Sequence, residues 1–176
     1  MIKLGSNLNS QKGFTLPEVL VSTFIFAGVT AICLALLLAG TNAWKNNKVQ
    51  NELQGETRKA MEWIKEDLRQ SGVNGISNVP ADGSNYTTIT FQEVTGVTNG
   101  SAIWSASNFV YALSGTDLQR TANGSTRTVA QNIQSLQFKR LLTTPNLLEV
   151  SLTAQGTTDG GRIITIASTV DVRLRN

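Results

Sequence analysis

Residues 12–44 read KGFTLPEVLVSTFIFAGVTAICLALLLAGTNAW, and this stretch places one carboxylate at the start of a long apolar run. Every residue from Val19 to Trp44 is uncharged. As an α-helix this run would span about 39 Å at about 1.5 Å per residue, more than a bilayer core of about 30 Å requires. The pattern predicts a membrane-spanning helix, with Glu18 as an ionisable group at its edge that needs a partner.

The predicted span divides the chain of 176 residues into three parts. Residues 1–13 are a polar leader with Lys3 and Lys12 and no acidic residue. Residues 14–44 form the transmembrane helix, and residues 45–176 are long enough for one domain outside the cytoplasm. A cleaved secretory signal is an alternative, but its apolar region would have only about 7 to 15 residues.

The composition narrows the possible functions. The chain has no histidine, which removes the commonest general base and metal ligand. Its one cysteine, Cys33, allows no intrachain disulfide. Ile32 precedes Cys33 where a lipoprotein site would have a small residue. The net charge of +3 comes without a basic run, so nucleic acid is not predicted as a partner. We expect no cofactor, no metal and no catalytic site.

Residues 45–72 predict an amphipathic helix that continues the span. Apolar positions recur at spacings of three and four residues, while Lys and Glu occupy the other faces. We expect Gly72, Asn74 and Gly75 to end this helix, and Trp63 to fill the core beneath it. The apolar stripe consists of Leu53, Thr57, Ala60, Ile64 and Leu68.

Residues 76–176 have a period of two, which predicts antiparallel strands. Apolar and polar residues alternate most clearly over residues 148–154 and 164–174. The pairs Asn99-Gly100 and Asn123-Gly124 are typical of two-residue hairpin turns. We therefore predict an α+β fold, in which a long N-terminal helix, first transmembrane and then amphipathic, packs on an antiparallel β-sheet domain.

The first 45 residues resemble the prepilins of the type IV pilin superfamily. The resemblance is carried by Gly13, by the following residues Phe14-Thr15-Leu16-Pro17-Glu18, and by the apolar run. It implies a pilin-like fold, and cleavage after Gly13 by a prepilin peptidase of the membrane. It also implies N-methylation of the new N-terminus at Phe14 and a role in assembly for Glu18.

The resemblance also suggests a partner for Glu18. A carboxylate alone in lipid costs about 3 kcal/mol on insertion scales. The N-terminal ammonium group of Phe14 on a neighbouring subunit would neutralise it, so the assembled state would be favoured. Without the adjacent Gly13-Phe14, Glu18 would fit an ordinary anchor whose carboxylate reaches the membrane interface.

The rest of the chain is similar to minor members of the superfamily. Residues 60–72 look like the helix of J-type minor pseudopilins and related minor pilins, and Leu118-Gln119-Arg120 and residues 173–176 show the same character. The span lacks the central proline of many major pilins, and the chain lacks the cysteine pair that closes their C-terminal loop. Both differences favour a minor subunit.

Three other features allow more than one interpretation. Asp159-Gly160-Gly161 could belong to a calcium loop, as in major pseudopilins, but one carboxylate falls short of the six to eight oxygens that Ca²⁺ takes. We predict a hairpin turn there. Trp44, Trp63 and Trp104 could form a ligand platform, although Trp44 fits a membrane interface. Asn123-Gly124-Ser125 matches a glycosylation sequon, which the hairpin turn explains equally well.

The sequence thus predicts a structural minor pilin or pseudopilin, anchored in the bacterial inner membrane by a single span. Its expected partners are the prepilin peptidase, other pilins or pseudopilins, and the inner-membrane assembly platform. It would join a type II secretion pseudopilus or a type IV pilus, in a tip or initiation complex. One alternative is a tip module that binds DNA, a surface or a secreted substrate. A second is an enzyme on a membrane anchor.

Overall fold

The computed structural model describes residues 13–175, so the predicted leader over residues 1–12 lies outside the described residues. One helix, α1 (Leu16–Gln70), precedes all the strands of this described part. The chain divides between Trp44 and Lys45 into two compact units. The strands are β1 (Ser71–Ile76), β2 (Asn85–Tyr86), β3 (Ile89–Thr98), β4 (Ser101–Ser114), β5 (Asp117–Ala122), β6 (Ser125–Ala130), β7 (Ile133–Leu141), β8 (Thr144–Thr157) and β9 (Ile163–Arg173).

The first unit contains the apolar part of α1, and its side chains are exposed from Leu16 to Trp44. An apolar surface around the whole circumference is typical of a helix that lies in lipid rather than on a protein core. By length and composition, α1 is long and apolar enough to cross a membrane. The helix prediction for this segment is therefore confirmed.

In the second unit, the amphipathic part of α1 packs through the predicted stripe. All five stripe residues are buried, and Met61 and Asp67 are buried beside them. The prediction for Trp63 was wrong, because its side chain is 37% exposed. Its ring lies instead under the guanidinium of Arg127, with 4.1 Å from Cζ to the ring centroid.

The end of α1 also differs from the prediction. The helix ends at Gln70, and Gly72 and Gly75 lie inside strand β1 rather than in a terminating loop. A Cβ atom at Gly72 would lie 2.7 Å from the Trp104 ring, and one at Gly75 would lie 2.6 Å from it. These glycines therefore admit the Trp104 ring against the β1 backbone, a role that only strand packing reveals.

The predicted α+β fold is confirmed, with the strands in two antiparallel sheets where one was predicted. Their orders are β1-β3-β4-β5-β6 and β2-β7-β8-β9. The chain leaves the first sheet after β6 through Asn132, which has a positive φ of 62°. Because β7 then pairs with β8 and not with β6, the chain continues in the second sheet, to which β2 also belongs.

The predicted two-residue hairpins are confirmed. Asn99 and Gly100 join β3 to β4, and both have positive φ, at 52° and 80°. Asn123 and Gly124 join β5 to β6 with φ of 53° and 77°. Positive φ at both central residues is the type I′ geometry, which matches the twist of the flanking strands and favours Asn-Gly.

Candidate processing and assembly segment

The segment before α1 consists of Gly13, Phe14 and Thr15, which have no regular secondary structure. The helix begins at Leu16, and the carbonyl of Thr15 accepts its first backbone hydrogen bond, from Val19 N at 3.2 Å. Thr15 is thus the N-cap residue. Pro17 falls in the first turn, where its missing N–H would have no partner in the helix anyway.

Glu18 caps the helix of its own chain. Its Oε2 accepts hydrogen bonds from the backbone N–H and from the hydroxyl of Thr15, both at 3.0 Å. In the described chain, this return bond to the N-cap N–H is half of a capping box. Sequence reasoning missed this role, although the spacing Thr15-x-x-Glu18 is its usual signal.

The junction between Gly13 and Phe14 is open to an enzyme. The Phe14 side chain is 86% exposed, and among the described residues other than its chain neighbours no atom lies within 4 Å of a Cβ placed on Gly13. Proteases act on exposed backbone outside regular structure, and this peptide bond lies just before the capped helix. The geometry is therefore compatible with the predicted cleavage after Gly13, which remains a prediction.

The hydroxyl groups of the apolar helix are satisfied within the helix itself. Each donates to a carbonyl three or four residues earlier, at distances between 2.7 and 2.9 Å. Lipid offers no hydrogen-bond partners, so a spanning helix must pair its polar groups internally. The residues are Ser22, Thr23, Thr30 and Thr41.

The calcium-loop candidate Asp159-Gly160-Gly161 lies in the second unit. Asp159 and Gly160 form the turn between β8 and β9, and Asp159 pairs with Lys45 at 3.2 Å. The hairpin turn predicted there is confirmed. Among residues 13–175, no group of three or more His, Cys, Asp or Glu side chains is arranged to hold a metal ion.

Comparison with known proteins supports the assignment of the N-terminal segment. Residues 8–41 match the family model described as Prokaryotic N-terminal methylation motif. The match contains Gly13, Phe14 and Glu18, and it leaves the domain from Lys45 onward outside. No curated protein matches the chain.

The matched motif is that of prepilins, and it implies processing by a prepilin peptidase and assembly with other pilins. It points to a structural subunit rather than an enzyme. Together with the exposed apolar helix, it indicates anchoring in the inner membrane by a single span.

Proposed function

We propose that this chain is a structural minor pilin or pseudopilin, cleaved after Gly13, N-methylated at Phe14 and assembled through its apolar helix. The observation that carries the proposal is the order of features along the N-terminal segment. An accessible Gly13-Phe14 junction precedes a capped helix that is uncharged from Val19 to Trp44 and exposes its apolar side chains there. Such a helix is unstable in water by itself and needs lipid or sister helices around it.

Glu18 is the proposed assembly residue. In the single chain its Oε2 makes both hydrogen bonds to Thr15. Cleavage would create an ammonium group at Phe14, which a carboxylate of a neighbouring subunit could bind. Charge-assisted hydrogen bonds are about twice as strong as neutral ones, so the pairing would favour the assembled filament over the isolated chain.

The proposed place of the subunit is a tip or initiation complex of a type II secretion pseudopilus or a type IV pilus. Support comes from the features that differ from major pilins. The span contains no proline after Pro17, and the only cysteine of the chain is Cys33. Near the C-terminus, Arg175 is held by backbone bonds to Ser71 and Val73 at 3.1 Å, without a disulfide.

Processing is tested by intact-mass analysis of the chain extracted from membranes of a host with an active prepilin peptidase. The expected mass corresponds to a chain that starts at Phe14 and carries one methyl group. A host without the peptidase serves as the control and should yield the chain from Met1. A full-length chain in the active host would contradict the proposal.

A second candidate function, a binding module at the tip, is favoured by one cavity in the domain. The cavity measures about 830 Å³ and lies between β1, the β3–β4 hairpin and the start of β8. Apolar side chains line it together with a few polar ones, as is typical of ligand sites. Those that could contact a ligand are Asn74, Val94, Val97, Trp104, Asn146 and Arg175.

A short DNA duplex and a secreted protein of the same host are the probes for this candidate. Binding that Trp104→Ala abolishes, with processing intact, would support a tip-binding role. If the chain is incorporated into filaments but binds neither probe, the tip-binding role is contradicted and only the structural role remains.

A further inference from the structure

Strand β9 is an edge of the second sheet, and its outer side is free in the described chain. β9 has 11 residues, and all of them pair with β8 in continuous register. In the described chain, no backbone hydrogen bond reaches residues 163–173 from the other side. A long, regular edge of this kind can accept another strand, and native proteins usually block it.

Two of the other edges, β2 and β1, are protected in ways that natural sheets use. β2 has only two residues. β1 has a register irregularity, and Arg175 covers its outer side through backbone bonds. After β6, Glu56 of α1 accepts the backbone N–H of Gln131 at 2.8 Å. Short strands, bulges and covering elements all prevent unwanted pairing, and β9, with 11 residues in continuous register, is neither short nor bulged.

A groove runs between the free side of β9 and α1. Its volume is about 420 Å³. From β9, the half-buried side chains of Ile166, Ser168 and Val170 line it, and from α1, Met61 and Thr57. The apolar side chains of Ile166 and Val170 pack against the core on one side and are not covered on the other.

The groove also contains an unsatisfied polar group. The Thr57 side chain is 5% exposed, and its hydroxyl has no hydrogen-bond partner among the described residues. A buried hydroxyl without a partner costs about 1–3 kcal/mol.

The charges at the rim of the groove indicate the chemistry of what fills it. Arg58 and Lys65 lie along the α1 side, with Glu62 between them. None of these three side chains forms an ion pair within residues 13–175. The β9 residues in the groove, from Ile166 to Val170, carry no charge. The net charge of the rim is therefore positive, which complements an acidic ligand.

We propose that β9 and this groove bind an extended acidic strand of a partner protein, which adds to the sheet β2-β7-β8-β9 beside β9. Backbone hydrogen bonds to β9 would supply affinity, and pockets for alternate side chains would supply specificity. Apolar side chains of the added strand would cover Ile166 and Val170. Its carboxylates would face Arg58 and Lys65. This proposal does not depend on the function proposed above.

The test uses the full chain in detergent micelles and a synthetic peptide of alternating Val and Thr, with Glu at two of the Thr positions. A peptide with Lys in place of Glu is the charge control. Hydrogen exchange of the backbone amides reports where the peptide binds. We expect the Glu peptide to slow exchange within residues 163–173, and the Lys peptide to have a much weaker effect.

Two variants test the charge argument. Arg58→Glu should weaken binding of the Glu peptide by about fivefold, because the substitution replaces one attraction by one repulsion. Lys65→Glu should act in the same direction and provides a second measurement if the first variant folds poorly. Arg69→Glu is the matched control, since Arg69 is an exposed cation of the same helix that does not line this groove.

The proposal is overturned if the Glu and Lys peptides bind equally, if neither binds, or if binding leaves exchange in residues 163–173 unchanged. The proposal is also overturned if β9 is protected from hydrogen exchange without peptide and this protection rises with protein concentration. That result would show that a second copy of this chain occupies the edge.

Discussion

Asp67 of α1 and Arg120 of β5 form an ion pair in the domain, with 2.5 Å between Oδ2 and Nε. Their side chains are 6% and 17% exposed. The same Oδ2 accepts a hydrogen bond from the hydroxyl of Tyr111 on β4, at 2.6 Å. Burial and this hydrogen bond raise the pKa of Tyr111 well above its usual value. One carboxylate thus joins the helix to two neighbouring strands of the first sheet.

Removal of Arg120 should destabilise the domain strongly. Arg120→Ala leaves Asp67 buried with only Tyr111 as a partner, and such a loss costs about 3 kcal/mol or more. The substitution also removes the stacking of the guanidinium on Phe109, at 4.9 Å from the ring centroid. Urea unfolding of the full chain in detergent, followed by near-ultraviolet circular dichroism, measures the change.

Lys48→Ala is the matched control, because Lys48 forms an exposed pair with Glu52 at 3.8 Å. Exposed pairs contribute at most about 1 kcal/mol. Equal losses for Arg120→Ala and Lys48→Ala would contradict the structural role of the Asp67–Arg120 pair.

The raised pKa of Glu93 on β3 predicts that the stability of the domain depends on pH. Burial and the negative charge of Asp67 raise the pKa of Glu93, while the charge of Arg120 lowers it less. The folded state therefore binds the Glu93 proton more tightly than the unfolded state does. The stability that this proton contributes is fully present below the ordinary pKa of 4.5, and it is lost as pH rises through the raised pKa of Glu93.

Glu93→Gln should consequently be more stable than the natural chain at neutral pH, and this advantage should vanish in acid. Thermal unfolding over a series of pH values measures the difference. Glu149→Gln changes an exposed carboxylate on β8 and should show no such trend. A constant difference between Glu93→Gln and the natural chain at all pH values would disprove the linkage.

Gly72 should tolerate no side chain while Trp104 is present. A Cβ at Gly72 would approach the Trp104 ring to 2.7 Å, so we expect Gly72→Ala to cost about 2 kcal/mol. In the Trp104→Ala background the same change should cost much less, and a double-mutant cycle of unfolding free energies measures this coupling.

Gly55→Ala is the control for the glycine prediction. Gly55 lies in α1 with open space around its Cβ position, so alanine there should stabilise by about 1 kcal/mol. If Gly72→Ala cost no more unfolding free energy than Gly55→Ala, the close contact between β1 and Trp104 would be contradicted.

Thr57→Val should stabilise the domain, against the usual direction of core substitutions. Valine has nearly the same shape and a similar helix propensity, and it removes a buried hydroxyl that has no partner. We expect a gain of about 1 kcal/mol in the free energy of unfolding. Ser71→Ala is the contrast, because the Ser71 hydroxyl donates to the Leu68 carbonyl at 2.9 Å and its loss should destabilise. Losses in both variants would show that Thr57 is satisfied in solution.

Glu18→Gln separates the two roles of the N-terminal carboxylate. Glutamine keeps an oxygen that can accept from the Thr15 N–H, but it has no charge for the Phe14 ammonium of a neighbour. We expect cleavage to proceed in both Glu18→Gln and Glu18→Ala, with incorporation into filaments impaired in both. Incorporation is measured by the amount of each variant in sheared filaments. Normal incorporation of Glu18→Gln would show that capping alone suffices.

The sequence alone was enough for the features that depend on local chemistry. The uncharged run after Glu18 predicts a lipid-compatible helix, because apolar length is a property of consecutive residues. The buried stripe from Leu53 to Leu68 follows from helical periodicity, and the Asn-Gly turns follow from the positive φ that these residues tolerate. Each of these features involves residues that are close in the chain.

Only the tertiary structure showed the features that join distant residues. The Asp67–Arg120 pair spans two elements, and the division into two sheets depends on β7 pairing with β8 rather than β6. The sequence predicts that Gly72 ends the helix, but in the structure Gly72 leaves space for the Trp104 ring. The free edge of β9 likewise depends on which strand lies beside it. Local propensity does not specify contacts between distant residues, because packing of the whole domain determines them.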